Sequence, residues 1–269
     1  MFAPELLEYD LGKGVRAFST CRMGGYGEGT YATFNINPFY GDDEQTVSRN
    51  KTMLCDTLQI KEQNLVIPHQ THGTNVRCVD ADFFLKDEQE RTHLLENVDA
   101  LITDLRGVCL SVSTADCVPV FLFDEAHHAI AVVHAGWRGT VAGISIRTLQ
   151  EMNQIYSTDA SRLKVVIGPS ISLEAFEVGD EVYQTFTDAG FPMQRIAKRF
   201  PLLASGGCGM EKWHIDLWEA NRWLLESTGV AIENIQVAGV CTYTQHDQFF
   251  SARRLGIKSG RILNGILLL

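Results

Sequence analysis

Apolar residues run almost without interruption through four neighbouring segments of the chain, at residues 100–103, 109–113, 118–123 and 129–134. These runs predict β-strands, and their lack of alternation is typical of strands buried on both faces. Further strands are predicted at residues 15–19, 65–68, 75–79, 164–167 and 235–240. The first two thirds of the chain are therefore expected to be rich in sheet.

Apolar residues at helical spacing predict four helices, at residues 46–58, 139–152, 178–186 and 216–228. The last has the clearest boundaries, because Asp216 and Glu219 have the spacing of a capping box, with Asp in place of the usual Ser or Thr. Gly229 follows at the position where a left-handed glycine commonly ends a helix.

The order of these elements predicts the fold class. Helices and strands do not alternate as a regular succession of βαβ units, so we expect a mixed α/β (α+β) fold with a mixed β-sheet core flanked by helices. No linker rich in Pro, Gly or Ser divides the chain, and the glycine-rich segment 203–209 is short. Residues 1–269 are therefore expected to form a single domain.

Composition and charge exclude several classes of protein. The chain has 269 residues, of which 45% are hydrophobic, and it carries 23 Lys and Arg against 33 Asp and Glu. The net charge of −10 disfavours binding to nucleic acid, because an acidic surface repels the phosphate backbone. The sequence contains no run of about 18 apolar residues, so no membrane span is predicted. The first residues lack the basic and apolar regions of a signal peptide. A cytoplasmic location is therefore expected.

The seven cysteines are expected to remain free thiols. Their number is odd, none belongs to a C-x-x-C pair, and a cytoplasmic compartment disfavours disulfides. Cys55, Cys78 and Cys109 are interpreted as small buried hydrophobic residues. Cys117 is interpreted differently because of the sequence around it.

Three residues that can bind a metal lie at the ends of predicted strands or in the adjoining loops. His72 stands in QTHG (70–73), Cys117 in ADCVP (115–119) and His134 at the start of HAGWRG (134–139). Two imidazoles and one thiolate suit zinc, and three protein ligands leave a fourth position open, as in catalytic zinc sites. The separations of 45 and 17 residues are unlike those of a zinc finger, so spacing alone leaves packed core residues as the alternative.

Residues next to these three suggest roles in binding or proton transfer. Arg138 presents a planar fork for a phosphate or carboxylate, and Trp137 presents a flat face on which a base can stack. Asp116, beside Cys117, suits a general acid or base, or a group that supports a metal ligand. A core tryptophan and a turn residue are the respective alternatives for Trp137 and Asp116.

Six stretches of the sequence resemble the YfiH-like family of laccase-domain proteins, a family now associated with purine nucleoside phosphorylase activity. They are residues 69–76 (HQTHGTNV), 98–103 (VDALIT), 114–119 (TADCVP), 134–139 (HAGWRG), 167–171 (IGPSI) and 250–254 (FSARR). The HAGWRG block together with ADC is the most specific part of the resemblance, which extends over almost the whole chain. It implies one domain with mixed sheets flanked by helices.

The resemblance also implies a function. It implies a zinc ion held by His72, Cys117 and His134, phosphorolysis of adenosine, inosine, guanosine and S-methyl-5′-thioadenosine, and zinc-dependent deamination of adenosine. Purine nucleosides and phosphate are thus the implied small-molecule partners.

Phosphorolysis requires cations that hold phosphate and a group that stabilises the leaving base. The candidates for the cations are Arg138, Lys51 and Arg254, and Asp116 is a candidate proton donor. Lys51 stands where the family often has arginine, so it would offer a point charge rather than a bidentate fork.

Three alternatives compete with this interpretation. The first is a copper-dependent polyphenol oxidase, since two His and one Cys also suit a blue-copper centre, although the chain has eight histidines and no His-x-His pair to build a multicopper cluster. The second is a cysteine hydrolase, such as an amidase that edits cell-wall precursors, with Cys117 as nucleophile and His134 as base. The third is a non-enzymatic zinc-binding module whose fourth ligand would be Cys241, His69 or His246.

Overall fold

Three β-sheets and the helices packed against them form the described part of the computed structural model, residues 4–201 and 211–269. The strands, in chain order, are β1 (Leu6–Tyr9), β2 (Val15–Thr20), β3 (Leu65–Val66), β4 (Val76–Cys78), β5 (Ala100–Thr103), β6 (Cys109–Thr114), β7 (Val118–Asp124), β8 (Ala129–Ala135), β9 (Lys164–Ile167), β10 (Glu177–Val178), β11 (Ala197–Pro201), β12 (Glu211–Ile215), β13 (Ile235–Val237) and β14 (Ile262–Leu268). The helices are α1 (Glu44–Leu58), α2 (Ala81–Leu85), α3 (Glu88–Leu94), α4 (Trp137–Val141), α5 (Ile144–Tyr156), α6 (Asp180–Asp188), α7 (Met193–Ile196), α8 (Leu217–Ser227) and α9 (Ala252–Leu255). The predicted glycine-rich loop at 203–209 lies outside the described residues.

The topology confirms the predicted fold class. One sheet has the strand order β13-β9-β7-β8-β5-β4, a second has the order β1-β2-β14-β6-β3, and β10, β12 and β11 form a small third sheet. Both large sheets are mixed, because parallel pairs such as β4 with β5 and β3 with β6 lie beside antiparallel pairs such as β7 with β8.

The four strands predicted from continuous apolar runs, β5 to β8, are buried at every residue. Along β7, Val120 and Leu122 pack in the hydrophobic cluster that includes residues of α5 and α8. Phe121 and Phe123 point the other way and pack with residues of the five-stranded sheet. The six-stranded sheet therefore has helices on one face and a sheet on the other, which leaves the loops at its strand ends to present functional groups.

The central strand of the five-stranded sheet, β14, was not predicted from the sequence. It pairs with β2 on one side and β6 on the other, and all of its residues are buried. Its polar residue is satisfied, because Asn264 accepts a hydrogen bond from Ser19 Oγ at 2.6 Å. Ile262 pairs with Thr114, so the residues before β14 lie beside the loop that follows β6.

Two predicted helices were wrong in their boundaries. Residues 139–152 do not form one helix, because α4 ends at Val141, Gly143 adopts a φ of +74° and α5 begins at Ile144. A left-handed residue interrupts the hydrogen-bonding pattern of a right-handed helix. Val178, predicted to start a helix, belongs to β10, and α6 begins at Asp180.

Helix α8 has the boundaries that its capping residues predict. The Asp216 carboxylate accepts the amide of Glu219 at 3.0 Å, and Gly229 has a φ of +95° after the last turn. The Glu219 side chain forms an ion pair with Arg195. Within residues 4–201 and 211–269, the structure contains no helix with the length and apolar character needed to cross a membrane.

Candidate metal centre

Three separate segments of the fold bring His72, Cys117 and His134 together. Cys117 lies in the turn between β6 and β7, His134 lies one residue before the end of β8, and His72 lies between β3 and β4. The possible ligand atoms of the three side chains all lie within 4.8 Å of one another. The two imidazole rings meet edge to face, with centroids 4.9 Å apart. We refer to these three residues as the ligand cluster.

Asp99, the residue before β5, fixes both histidines. Its carboxylate is fully buried, and Oδ1 lies 2.7 Å from Nδ1 of His134 and accepts the backbone amide of His72 at 2.9 Å. Oδ2 accepts the amide of Gly73 at 2.8 Å. Burial raises the pKa of Asp99, but the hydrogen bond and charge of His134 outweigh burial and lower it overall. Because Nδ1 of His134 is engaged, Nε2 remains as the nitrogen that can bind a metal.

Cys117 and His134 form an electrostatically coupled pair. Burial opposes charge on both, but the charge of His134 and hydrogen bonds from both histidines lower the pKa of Cys117 to about 6. The Cys117 thiolate and Asp99 in turn outweigh burial and raise the pKa of His134 to about 9. Both shifts favour a thiolate beside an imidazolium when no metal is bound. Metal binding would displace the imidazolium proton, since thiolate and neutral imidazole are the ligating forms.

The segment that carries His72 is held to the neighbouring strands by buried hydrogen bonds. Gln70 Nε2 donates to the carbonyl of Ser113 at 2.9 Å, and Gln70 Oε1 accepts the Ser113 amide at 2.7 Å. His72 has a φ of +63°, an uncommon conformation for a residue other than glycine. The hydrogen bond from its backbone amide to Asp99 supports this conformation. The protein therefore positions this imidazole through β6 and β5.

The space between the three ligands fits a metal ion. A Cβ atom at Gly136 would lie 2.9 Å from Cδ2 of His72 and 3.1 Å from Sγ of Cys117, so any larger residue would displace the ligands. Two imidazoles and a thiolate, with a carboxylate behind one imidazole, are typical of zinc sites. The same three ligand types occur in blue-copper sites, so the donor set is compatible with either metal.

A cavity of about 260 Å³ includes all three ligands in its wall. The wall also includes Asn37, Phe39, Tyr40, His69, Gln70 and Arg261. The Phe39 ring, 40% exposed, stacks on the His69 ring with centroids 4.3 Å apart and an interplanar angle of 22°. His69 Nδ1 lies 2.7 Å from Oε2 of Glu96, so Glu96 fixes the orientation of the His69 ring. The cavity thus combines the ligand cluster with an accessible pair of flat rings.

Asp116, predicted to be a proton donor, lies in the turn beside Cys117 but is absent from the described cavity wall. Its backbone has a φ of +92°, and its two carboxylate oxygens accept hydrogen bonds from Thr242 Oγ1 and from the amide of Arg253, both at 2.7 Å. In this arrangement Asp116 connects the turn that carries Cys117 to the two segments that contain Thr242 and Arg253.

The three cations predicted to hold phosphate, Arg138, Arg254 and Lys51, are likewise absent from the described cavity wall. Arg138 is exposed on α4 and lies over the Trp137 ring at 4.3 Å. Arg254 is exposed on α9, 3.4 Å from the Tyr243 hydroxyl. Lys51 lies on α1, half-buried and one turn before Cys55. Their catalytic roles stay predictions.

A family model described as "Multi-copper polyphenol oxidoreductase laccase" matches residues 16–269, which include every residue of the ligand cluster. This chain belongs to that laccase family. The match covers nearly the entire chain, as the YfiH-like resemblance in the sequence implied.

Relatives of this laccase-family chain carry enzyme names. It is 49% identical over 254 residues to a "Purine nucleoside phosphorylase" of Bacteroides thetaiotaomicron, with 94% of this chain and 92% of the relative covered. It is 42% identical over 265 residues to "Adenosine deaminase RL5" of an unknown prokaryotic organism, with 97% and 98% covered. The crystal structure of Bacillus licheniformis hypothetical protein YfiH superposes with a TM-score of 0.86 at 26% identity, covering 99% of this chain and 97% of that one.

The family description names several copper ions, whereas the described part of this laccase-family chain contains one suitable cluster. Within residues 4–201 and 211–269, His72, Cys117 and His134 are the one group of three or more His, Cys, Asp or Glu side chains with ligand atoms close enough to share an ion. A multicopper oxidase needs further histidine ligands. His69 is paired with Glu96 and His127 with Asp124, and neither histidine forms part of a second cluster of metal ligands.

Asp99 and Arg261 are among the site residues that were not singled out in the sequence. Asp99 interrupts the apolar run at residues 98–102, and a carboxylate in such a run indicates a buried charge that needs partners, so the pattern was sufficient to find it. Arg261 has no comparable pattern around it. Its place in the cavity wall results from the pairing of β14 with β6, which local sequence does not reveal.

Proposed function

We propose that this chain is a zinc-dependent purine nucleoside phosphorylase that also deaminates adenosine, with adenosine, inosine, guanosine and S-methyl-5′-thioadenosine as its phosphorolysis substrates. The observation that carries the proposal is the cluster of His72, Cys117 and His134 in the cavity wall of a chain 49% identical to a purine nucleoside phosphorylase. Zinc bound there would keep an open position and act as a Lewis acid toward an oxygen of substrate or water.

The size and wall of the cavity support a single nucleoside as the substrate. Its volume of about 260 Å³ is close to the lower limit of about 300 Å³ for small-molecule sites, which favours a nucleoside over a dinucleotide. The stacked rings of Phe39 and His69 offer a face for the purine, because bases stack on aromatic side chains. Asp99 keeps His134 in one tautomer, so that Nε2 rather than Nδ1 serves as ligand.

Each reaction makes distinct demands on the site. In phosphorolysis, a phosphate oxygen bonds to the anomeric carbon, the bond from that carbon to the base nitrogen breaks, and the base leaves with the electron pair and takes up a proton. In deamination, water supplies an oxygen to the purine carbon that bears the amine, and ammonia leaves. Asp116, Arg138, Lys51 and Arg254 remain predicted contributors to phosphate binding and proton transfer.

A panel of nucleosides incubated with and without inorganic phosphate tests the proposal. Inosine is expected to yield hypoxanthine and ribose 1-phosphate only when phosphate is present. Adenosine without phosphate is expected to yield inosine and ammonia. Free ribose as the sole sugar product would refute the phosphorylase and indicate a hydrolase. Metal analysis of the purified protein is expected to find one zinc per chain.

A copper-dependent polyphenol oxidase is the second candidate, favoured by the family description and by the ligand types of the cluster. Copper rather than zinc in protein purified without added metal, together with oxygen consumption on a phenol, would support it. The absence of a second cluster in the described residues favours zinc chemistry over a multicopper reaction.

A cysteine hydrolase is the third candidate, favoured by the Cys117 thiolate beside the His134 imidazolium. Alkylation separates it from the metalloenzyme. A zinc-bound Cys117 is expected to resist iodoacetamide until the metal is removed by a chelator, whereas a catalytic thiolate reacts at once.

A non-enzymatic zinc module would need a fourth protein ligand. Within the described residues, Cys241, His69 and His246 do not join the ligand cluster.

A further inference from the structure

Arg261 is a buried cation in the wall of the cavity that contains the ligand cluster. It is 7% exposed, and it is the one Lys or Arg in that wall among the described residues. It directly precedes β14, whose first residue pairs with Thr114 at the end of β6. The pairing places Arg261 beside the turn that carries Cys117.

No carboxylate lies within ion-pair distance of Arg261 in residues 4–201 and 211–269. Its guanidinium is held by backbone carbonyls instead: Nη1 donates to Ser259 at 2.7 Å and Gly260 at 3.0 Å, and Nη2 donates to Ile257 at 2.9 Å. Burial lowers the pKa of Arg261, with Tyr40 opposing that effect, but an arginine remains charged in proteins. Buried charges are normally paired, so this one indicates a site for an anion.

The Cys117 thiolate and the Asp116 carboxylate both act on the charge of Arg261, but neither forms an ion pair with it. Two positive charges of zinc would be balanced by the Cys117 thiolate and the Asp99 carboxylate, which holds His134. Asp116 is nearby, but its oxygens accept hydrogen bonds from Thr242 and the Arg253 amide. Among the described residues, the guanidinium therefore has no carboxylate in direct contact, and a bound oxyanion would supply a counterion.

The remaining donors of Arg261 match two oxygens of an oxyanion. A guanidinium has five N–H groups, and the carbonyls of Ser259, Gly260 and Ile257 engage three of them, Nη1 also approaching Ser259 Oγ at 3.3 Å. Apart from the Tyr40 side chain, which also acts on the guanidinium, the Nε–H and one Nη2–H meet no hydrogen-bond partner among the described residues. The Tyr40 ring stacks on the guanidinium at 3.8 Å and fixes its plane. A fork held in this way is suited to bidentate binding of phosphate.

We propose that Arg261 binds the phosphate co-substrate in the cavity. The inference rests on the proposed phosphorylase function, and it assigns the phosphate site to a residue that neither the motifs nor the names of relatives indicate. Phosphate held by Arg261 would lie in the same cavity as the ligand cluster and the stacked rings of Phe39 and His69. Its oxygen would bond to the anomeric carbon as the bond to the base breaks.

The test compares Arg261→Lys with a matched control, Arg22→Lys. Arg22 is also held by carbonyls, those of Ala32 and His246, and lies over the Phe250 ring, but it is outside the described cavity wall. In zinc-loaded Arg261→Lys, the KM for phosphate is expected to rise about ten-fold or more, because a point charge replaces a bidentate fork. The KM for inosine and the phosphate-independent deamination of adenosine are expected to stay within about two-fold. Arg22→Lys is expected to match the parent chain in all three.

Two further measurements separate the possible failures. Calorimetric titration with inorganic phosphate, with sulfate as the competing oxyanion, measures binding without turnover; Arg261→Lys and Arg261→Gln are expected to lose phosphate affinity. If the parent chain cleaves inosine without phosphate, the phosphorylase proposal fails, and an Arg261-dependent phosphate titration would still support the anion site. The inference would be overturned if phosphate affinity were unchanged in both variants, or if deamination and phosphorolysis were lost equally. Arg261 would then have a structural role only.

Discussion

Asp99 and His134 lie 2.7 Å apart, from Oδ1 to Nδ1, and both side chains are buried. The same oxygen accepts the amide of His72. One carboxylate therefore orients the His134 ring and holds the backbone at His72, in two segments far apart in the chain. The ligand cluster depends on a residue that does not itself belong to it.

Asp99→Asn is expected to weaken zinc binding by about ten- to a hundred-fold, the usual effect of losing a carboxylate behind a metal-bound histidine. Asn keeps the size of the side chain, but its amide group turns a donor toward either His134 or the Gly73 amide. Competition with a chelator of known affinity measures the change. The exposed Asp104→Asn serves as the control, and equal zinc affinity in both variants would contradict the assigned role.

Cys117→Ser is expected to lower zinc affinity by orders of magnitude, because a hydroxyl replaces a thiolate ligand. Phosphorolysis and deamination are expected to fall together, while thermal unfolding of the metal-free chain changes little. Cys78→Ser is the control, since its sulfur lies 3.2 Å from the Tyr156 hydroxyl and outside the described cavity wall. A Cys117→Ser chain that is inactive but retains one zinc would favour the cysteine hydrolase.

Gly136→Ala is expected to reduce zinc affinity without unfolding the chain. Its added methyl group would lie 2.9 Å from His72 Cδ2 and 3.1 Å from Cys117 Sγ, so the ligands must move apart. Gly73→Ala is the matched control beside the same site, because its Cβ would meet Asp99 at 3.4 Å, an ordinary contact. Zinc titration and circular dichroism of both variants decide between crowding of the metal and general loss of structure.

Phe39→Ala is expected to raise the KM for inosine and for adenosine by about five-fold or more, since stacking contributes about 1–3 kcal/mol per base. The zinc content is expected to stay at the parent level, because Phe39 contacts His69 rather than the ligand cluster. Phe39→Trp keeps a flat face and is expected to restore the KM. A similar KM in all three chains would exclude this ring as a platform for the purine.

Asp124→Asn is expected to destabilise the chain by about 1 kcal/mol at neutral pH through loss of a charged hydrogen-bond acceptor. Asp124 lies at the end of β7, buried, with Oδ2 2.9 Å from Nδ1 of His127. Burial raises its pKa, but the nearby Thr158 hydroxyl and the hydrogen bonds with the His127 amide and ring outweigh burial and lower it.

The sign of the pH dependence of Asp124 follows from that lowered pKa. The unfolded chain takes up the proton first as the pH falls, so the stabilisation is present above the unfolded pKa of about 3.9 and is lost as the pH falls through the folded pKa. Urea unfolding is expected to show a smaller difference from the parent chain at pH 3 than at pH 7. Glu125→Gln, which alters an exposed ion pair with Lys164, is the control.

The sequence was sufficient to predict β5 to β8 because their positions are apolar on both faces, and burial between helices and a second sheet requires that pattern. It was insufficient for β14, where Asn264 and Gly265 interrupt the apolar run and the partners are hundreds of positions away. The break at Gly143 was missed because the apolar spacing continues across it.

The candidate site was predictable to a different extent. Its three possible ligands stand in short distinctive motifs, and the structure brings those residues together. The cation in the cavity wall was not predictable, because Arg261 reaches the wall through long-range strand pairing, whereas Arg138 and Arg254 belong to the motifs but lie outside that wall.

The position of β14 between β2 and β6 makes the order of synthesis important for this fold. A ribosome releases the strands of the five-stranded sheet in the order β1, β2, β3, β6 and β14, so β2 and β6 have emerged long before the strand that joins them. Until residues 262–268 emerge, one hydrogen-bonding edge of each of these strands lacks its partner, and Arg261 cannot take its place beside Cys117. A nascent chain of this protein therefore acquires its proposed anion site and its central strand in the same late step, and until then the open edges of β2 and β6 are exposed to pairing with other chains.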